Sequence, residues 1–288
     1  MTNKWFYFNI FTFVKYPVRL LFREQLYCAL PYQNSKYHAI MKIGYPTRNL
    51  AETDSTNIQA WRMLDKGEIS EGAVVRTDHQ TCGKGLGETS WESKAGQNLT
   101  FSVVLKPVFL EPSRQFLLTK CISLGVCEAV KSVTGLQRVY VKWPNDIYIE
   151  NKKVAGILIE TRIMGNRFEW AVAGIGINVN QEIFSPEIPN PVSLALATGQ
   201  YHDLEKCFER VCRSIEKKYN LLENNNTSRL DEEYLHALYG FGQTMSFESK
   251  GKVFDATIEG VTPHGKLILA GSRGEPKEYD LKEVRFLY

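Results

Sequence analysis

The length and composition of the chain are those of a globular protein. It has 288 residues, of which 43% are hydrophobic and 23% are charged, which excludes collagen, coiled-coil and disordered classes. The formal net charge of +3 is small and the basic residues are scattered, so nucleic-acid binding is not expected. The six cysteines form no CxxC pair and have no histidine at zinc-site spacing, which predicts reduced, structural thiols and no metal bound by cysteine.

The N-terminal segment has an unusual composition. It is rich in Phe, Tyr and Leu, but Lys15, Pro17 and Arg19 interrupt the apolar stretch that a membrane span or a signal peptide requires. We expect a cytoplasmic protein, with a membrane-surface anchor here as the minor alternative. Because a recognisable domain begins just after Met41, residues 1–44 are expected to be an extension outside the fold, with Met41 as the preferred start.

Beyond this extension, helical and strand patterns alternate, which predicts an α+β fold with a mixed sheet packed against helices. Asp54 or Ser55 is expected to cap a helix that runs to Gly67, because a short side-chain oxygen can accept hydrogen bonds from the free amides at a helix start. Ser55, Thr56 and Asn57 would lie at the N-terminus of this helix.

The remaining elements follow in order. Strands are predicted at 72–77, 99–105, 139–143, 147–149, 154–161 and 168–173, and helices at 113–133 and 204–222. A glycine-bearing loop is predicted at 80–97, and a loop rich in Pro and Asn at 179–192. The glycine-punctuated β pattern from Gln243 onward has room for about five short strands, the size of a small barrel. We therefore divide the fold into domains at 45–238 and 239–288.

The first candidate site is the glycine-rich sequence TCGKGLG at residues 81–87. It can expose several backbone amides to an anion and carries one lysine, Lys84. It matches neither a Walker loop nor a Rossmann fingerprint. Taken alone, the segment is better explained as a flexible turn between strands.

The second candidate is Lys142, which ends a predicted strand just before a turn fixed by Pro144. A lysine on a rigid element suits a phosphate or a carboxylate, although a surface lysine beside a core Trp143 fits equally well. The strands that follow contain Gly156 and the glycines of 174–176, and strand glycines cost stability unless a ligand or backbone approaches closely. Two such strands indicate a shared cleft.

Five ordered motifs resemble those of the biotin protein ligase family. They are Asp-Ser-Thr-Asn, Gln-Thr-x-Gly-Lys-Gly, Lys-Trp-Pro-Asn-Asp, Lys-x-Ala-Gly-Ile-Leu-Ile-Glu and Gly-Ile-Gly-Ile-Asn. The resemblance implies a class II synthetase-like biotin/lipoate ligase fold with a small C-terminal SH3-like β barrel, which would assist ATP and acceptor binding. Because residues 1–44 show no paired helical pattern, it implies the monofunctional type, without the DNA-binding domain and repressor activity of bifunctional members.

The resemblance also implies the reaction. ATP, as its Mg²⁺ complex, and biotin would form biotinyl-5'-AMP, and biotin would pass to a lysine of the biotin carboxyl carrier domain of a biotin-dependent carboxylase. The biotin carboxylate would attack the α-phosphate in line and needs no general base, so catalysis would rest on positioning and charge stabilisation. The acceptor protein, the oligomeric state and the magnesium ligands are not identified by the sequence.

The resemblance assigns roles by position in the motifs. Residues implied to bind biotin are Ser55, Thr56, Asn57, Gln80, Gly83, Lys84, Gly85 and Lys142. Residues implied to bind the nucleotide are Lys84, Lys142, Lys153, Gly156 and Asn178, of which Lys84 and Lys142 are implied to be catalytic. From the residues alone, Gly156 could equally relieve crowding between strands, and Asn178 could cap a turn. Trp91 and Trp143 are expected to be pocket walls or core, and the 179–192 loop to order when adenylate binds.

One loop position, Leu86, departs from the family, in which many members carry arginine or another polar residue there. Leucine cannot bind a phosphate, so we expect weaker retention of the adenylate and promiscuous labelling of nearby amines. Two alternatives stay open: a lipoate or octanoate ligase or transferase, and a non-catalytic biotin or adenylate sensor, which only Leu86 supports. A lipoate or octanoate pocket needs an apolar slot, whereas the polar residues Ser55, Thr56 and Gln80 suit the ureido ring of biotin.

Overall fold

A computed structural model describes residues 43–87, 89–271 and 274–287, which belong to a compact unit that spans Ile40–Tyr288. The predicted start at Met41 and residues 1–42 of the predicted extension lie outside the described residues, whereas Ile43, which was placed in the extension, is buried in the core. None of the described helices is long and apolar enough to cross a membrane. The described residues form two sheets and five α-helices, which confirms the predicted α+β class.

The larger sheet has seven strands in the order β1-β2-β3-β7-β6-β5-β4. Its strands are β1 (Thr47–Thr53), β2 (Val74–Gln80), β3 (Leu99–Leu105), β4 (Val139–Lys142), β5 (Asp146–Ile149), β6 (Lys152–Met164) and β7 (Arg167–Ile177). Only β1 and β2 pair in parallel, so the sheet is mixed as predicted. Every residue of β3 is buried, because helices cover both faces of the sheet there.

The helices are α1 (Thr56–Asp65), α2 (Phe116–Thr134), α3 (Leu194–Thr198), α4 (Leu204–Glu223) and α5 (Thr227–Ala237). Helix α1 packs on one face of the large sheet, and α2 packs on the other beneath α4 and α5. Helices α2 and α4 approach closely at Gly125, where a Cβ atom would lie 2.7 Å from Ile215 Cα. Buried Lys218 joins three helices, since its Nζ lies 2.7 Å from Glu128 and 2.5 Å from Glu233.

The smaller sheet is antiparallel, with the order β11-β10-β9-β8-β12. Its strands are β8 (Thr244–Ser249), β9 (Lys252–Val261), β10 (Leu267–Gly271), β11 (Lys277–Tyr279) and β12 (Arg285–Phe286). This agrees with the predicted run of short C-terminal strands. The sheet docks where β4 ends, because Trp143 Nε1 donates a hydrogen bond to the Gly265 carbonyl at 2.8 Å.

Several details differ from the sequence-based expectation. The predicted first helix is confirmed with Ser55 at its N-cap. Of the two predicted caps, Asp54 Oδ1 accepts from the Ser55 amide at 2.8 Å, but the Ser55 side chain makes no cap bond to the amides that follow. Instead, Gln80 at the end of β2 accepts a hydrogen bond from the Thr56 amide at 2.8 Å. Strand β1 and helices α3 and α5 were not predicted. The start of the first helix is therefore capped by Asp54 and by the Gln80 side chain of the neighbouring strand.

Candidate active site

A cavity of about 910 Å³ lies where the large sheet, the glycine-rich loop and the smaller sheet meet. This volume is within the range of small-molecule sites. Ten of the eleven predicted site residues line it: Ser55, Thr56, Asn57, Gln80, Lys84, Gly85, Lys142, Lys153, Gly156 and Asn178. Gly83 is outside the lining. The fold thus gathers residues from all five motifs around one space, while their individual roles remain predictions.

The start of α1 forms a buried polar corner of the cavity. Ser55, Thr56 and Asn57 are each less than 5% exposed. Gln80 accepts hydrogen bonds from the Thr56 amide at 2.8 Å and from its hydroxyl at 3.3 Å. The hydroxyl of Ser102, on β3, lies 2.8 Å from Thr56 Oγ1 and 2.7 Å from Asn57 Oδ1. Ser102 was missed by sequence reasoning, although a serine inside the apolar run of β3 was a usable signal.

The Asn57 side chain is also held by the sheet beneath it. Its Nδ2 donates to the Leu158 carbonyl at 3.3 Å and to Glu160 Oε2 at 3.2 Å. A Cβ atom at Gly174 would lie only 2.4 Å from Asn57 Oδ1. The glycine at this strand position therefore makes room for a side chain, and Asn57 is fixed in orientation as a wall of the cavity.

The glycine-rich loop folds as a small hairpin. The Gly85 amide donates to the Thr89 carbonyl at 2.7 Å, and the Trp91 amide donates to the Gly83 carbonyl at 3.0 Å. A Cβ atom at Gly83 would lie 2.2 Å from the Trp91 carbonyl oxygen, and one at Gly85 would lie 2.3 Å from Thr89 Oγ1. The Gly85 amide, one of the loop amides expected to be exposed to an anion, instead forms a hydrogen bond within the hairpin.

The Trp91 indole lies over the glycines of β6 and β7. A Cβ atom at Gly176 would lie 2.2 Å from Trp91 Cε2, and one at Gly156 would lie 3.1 Å from its Cζ3. The paired glycines therefore do form the shared cleft that their positions predicted, with an aromatic ring as its cover. Within the described residues the buried Nε1 of Trp91 has no hydrogen-bond partner, which is uncommon for a buried donor.

Cationic side chains form a second part of the cavity. Lys142 lies at the end of β4, with its Nζ 5.3 Å from the ring centroid of Tyr148 and 5.0 Å from that of Phe286. Burial lowers the pKa of Lys142, and the nearby Asp146 carboxylate partly opposes this shift. Lys153 Nζ lies 2.7 Å from Asp146 Oδ1. Two lysines, from the strands on either side of β5, thus flank the carboxylate of Asp146 on that strand. Cations at this end of the cavity suit an anionic ligand.

The Pro- and Asn-rich segment is a loop, as predicted, and it closes one side of the cavity. It is tied to β6 because the Lys153 amide donates to the Asn190 carbonyl at 2.7 Å and the Val192 amide to the Lys153 carbonyl at 2.9 Å. Asn178 Nδ2 donates to the Val192 carbonyl at 3.2 Å. Its buried Oδ1 has no partner within the part of the chain that the structure describes, so an acceptor remains for a ligand.

The smaller sheet also contributes to the cavity. Its contribution comes from one segment, and the lining residues are Leu281, Lys282, Val284, Arg285 and Phe286. Arg285 is paired with Glu248, whereas Phe286 packs against Lys142. No sequence motif pointed to these residues, because they approach the cavity only through the docking of the two sheets.

Comparisons with known proteins agree with this arrangement. The model of the biotin/lipoate A/B protein ligase family matches residues 50–178. A bifunctional ligase/repressor BirA from Bacillus spizizenii is 30% identical over 222 residues, which cover 75% of this chain and 67% of that protein. A biotin–acetyl-CoA-carboxylase ligase from Paracoccus denitrificans is 27% identical over 234 residues, which cover 78% of this chain and 94% of that protein.

Solved structures show the same fold. A biotin protein ligase from Aquifex aeolicus in complex with biotin and ATP superposes with a TM-score of 0.70 at 26% identity, covering 84% of this chain and 98% of that one. The ligase motifs, the cavity and the sequence similarity therefore agree, and the chain belongs to the biotin protein ligase family.

Proposed function

We propose that the chain is an ATP-dependent biotin protein ligase that forms biotinyl-5'-AMP and transfers the biotin to a lysine of a biotin carboxyl carrier domain. The observation that supports this most is one cavity with a polar corner beside a cationic region. The Aquifex aeolicus relative binds biotin and ATP, and the Paracoccus denitrificans relative is named for acetyl-CoA carboxylase. The carrier domain of such a carboxylase is the acceptor we propose.

The spacing of the two regions fits a substrate whose head and carboxylate are separated by a short apolar chain. In the polar corner, Asn57 contacts Leu158 of β6 and Gly174 of β7, which face each other. In the cationic region, Asp146 pairs with Gly156, which lies two residues before Leu158 along β6. Two residues of a strand span about 7 Å. In the proposed complex, the polar corner holds the ureido ring and the aliphatic chain runs through the cavity from this corner toward the lysines.

The polar corner can read a ureido ring because its groups both donate and accept hydrogen bonds. The Thr56 hydroxyl belongs to the cavity lining and donates to Gln80 Oε1, and Ser102, which lies outside the lining, donates to Thr56 Oγ1 and so supports it. A lipoyl head has no matching donors or acceptors, so it would leave the remaining hydrogen-bonding capacity of these groups unused. This chemistry favours biotin over lipoate.

In the adenylation step, the biotin carboxylate attacks the α-phosphate and pyrophosphate leaves. Lys84 and Lys142 would offset the repulsion between the two anions, and Lys153, Gly156 and Asn178 would line the nucleotide side. No general base is needed because the carboxylate is already ionised. In the transfer step, an acceptor lysine amine attacks the mixed anhydride and AMP leaves.

Magnesium is proposed only as part of the MgATP substrate. Three carboxylates line the cavity, from Glu92, Asp146 and Glu187. Within the described residues no cluster of three or more acidic, histidine or cysteine side chains is arranged to hold a metal ion. Magnesium at nucleotide sites commonly takes its ligands from phosphates, water and one or two carboxylates, which this lining could supply.

The test is to incubate the full chain with MgATP, a carboxyl carrier domain, and either biotin or lipoate, and to weigh the carrier. We expect a biotin-sized gain on its target lysine that Lys142→Ala abolishes. Lys252→Ala, at an exposed lysine of β9 outside the cavity, serves as the control and should retain activity. A lipoyl gain would assign the chain to the sister activity, and biotin binding without transfer would indicate a sensor.

A further inference from the structure

The smaller sheet presents a lysine to the cavity from a backbone position that most residues avoid. Lys282 lines the cavity and has φ +71, in the left-handed region where a Cβ atom is crowded and glycine or asparagine is favoured. Its turn is fixed, because the Asp280 amide donates to Glu283 Oε2 at 2.8 Å and the Glu283 amide to the Asp280 carbonyl at 3.0 Å. A strained lysine in a fixed turn at a cavity indicates a role for its side chain.

The Lys282 side chain reaches the tip of the glycine-rich loop. A Cβ atom built at Gly87 would lie 2.8 Å from Lys282 Nζ and 3.0 Å from its Cε. The neighbouring loop residue, Leu86, lines the same cavity and carries no charge. Among residues 43–87, 89–271 and 274–287, Lys282 has no ion-pair partner. Its ammonium therefore lies between loop and cavity without a counter-charge from the described residues.

The same segment also meets the other cationic region. Phe286, four positions after Lys282, packs its ring 5.0 Å from Lys142 Nζ. Lys142 from the large sheet and Lys282 from the smaller sheet thus reach the cavity from two separate elements. The cavity therefore receives a lysine from each sheet.

We propose that Lys282 binds the phosphates of the nucleotide that the cavity holds, and so adds a cation at the uncharged tip of the glycine-rich loop. The inference rests on the proposed function of the cavity as an MgATP site. A lysine ammonium is a compact charge that suits phosphate oxygens, and contact with them in a partly closed site is stronger than in open water. The smaller sheet thereby takes part in substrate binding directly.

The direct test compares Lys282→Gly with Lys250→Gly in the full chain. Lys250 also has a positive φ, +51, in the β8–β9 turn of the same sheet, but it lies outside the cavity lining. Glycine accepts both conformations, so neither variant should unfold the protein. We expect Lys282→Gly to raise the Kd for MgATP by about tenfold, because the variant loses one charge-assisted hydrogen bond to the phosphates. The Kd for biotin alone should not change. Lys250→Gly should change neither.

Two further variants address the charge itself. Lys282→Arg should retain most MgATP affinity, and Leu86→Arg in the Lys282→Gly background should restore it, since either places a cation at the loop tip. The proposal is overturned if Lys282→Gly binds MgATP as the wild type does, if Lys250→Gly loses as much affinity, or if biotin affinity falls instead. If the wild type binds MgATP but does not label the carrier, the proposed ligase function fails, and the comparison of Kd values still tests the role of Lys282. If the wild type does not bind MgATP, both the proposed function and the proposed role of Lys282 are overturned.

Discussion

Replacing Gly176 with alanine should displace the glycine-rich loop. The new Cβ atom would lie 2.2 Å from Trp91 Cε2 and 2.5 Å from its Nε1, well inside contact distance. Gly176 cannot retreat, because β7 is paired there with Thr100 on one side and Gly156 on the other. The indole must therefore leave the cleft and carry the surface hairpin with it. Overpacking of this kind costs about 1–3 kcal/mol.

Because the loop can move without unfolding the sheet, this cost should appear in activity more than in stability. A closed loop that is destabilised by about 1–3 kcal/mol corresponds to a loss of roughly tenfold to a hundredfold in the rate of adenylate formation. Pyrophosphate exchange measures that rate, and thermal unfolding should show a much smaller change. Gly260→Ala is the matched strand control, since its Cβ would lie 3.7 Å from Ile268 Cδ1, an ordinary contact.

A double variant decides whether Trp91 is the cause. In a Trp91→Ala background the clash is gone, so Gly176→Ala should have little further effect. Equal losses from Gly176→Ala in the wild-type and Trp91→Ala backgrounds would refute the reasoning.

Three other variants test separate features of the cavity. Burial lowers the pKa of Lys142 below the ordinary 10.5, so its ammonium loses its proton at a lower pH than that of a free lysine. The rate of adenylate formation should fall as the pH rises through this pKa. In Lys142→Arg the fall should occur at a higher pH. Ser102→Ala should weaken biotin binding by about 1–3 kcal/mol in a titration, since buried partners lose a hydrogen bond, whereas Ser123→Ala, at a buried serine without a partner among the described residues, should not. Leu86→Arg should reduce labelling of bystander amines, while Leu196→Arg, at an exposed leucine, should not; unchanged labelling in the first would contradict our interpretation of this loop position.

The sequence predicted most elements that have strong apolar periodicity. Helices α2 and α4 were found near their observed bounds because their apolar positions recur at helical spacing, and strand β3 because it is a short, continuous apolar run. Strand β1 has a largely exposed edge pattern without such a period, and α3 is only five residues long. Helix α5 follows a polar run and buries only Leu230, Tyr234 and Ala237, so its signal was weak. Tertiary packing, which a single sequence does not display, stabilises these elements.

The candidate site shows the same division. Motifs identified residues on both sides of the cavity, because the chemistry of lysines and polar side chains is visible in sequence. They could not identify contacts between distant segments, such as Trp91 on Gly176 or Lys282 at Gly87. The strand glycines were correctly expected to permit a close approach, but the approaching groups are side chains of the protein itself.

The most direct test of the account is to mix the full chain with biotin and MgATP without any acceptor and to examine the bound small molecules by mass spectrometry. We predict enzyme-bound biotinyl-5'-AMP and one equivalent of pyrophosphate, with release of AMP accelerated when a carrier domain is added. Binding of both substrates without formation of the adenylate would contradict the proposal that this cavity joins biotin to ATP.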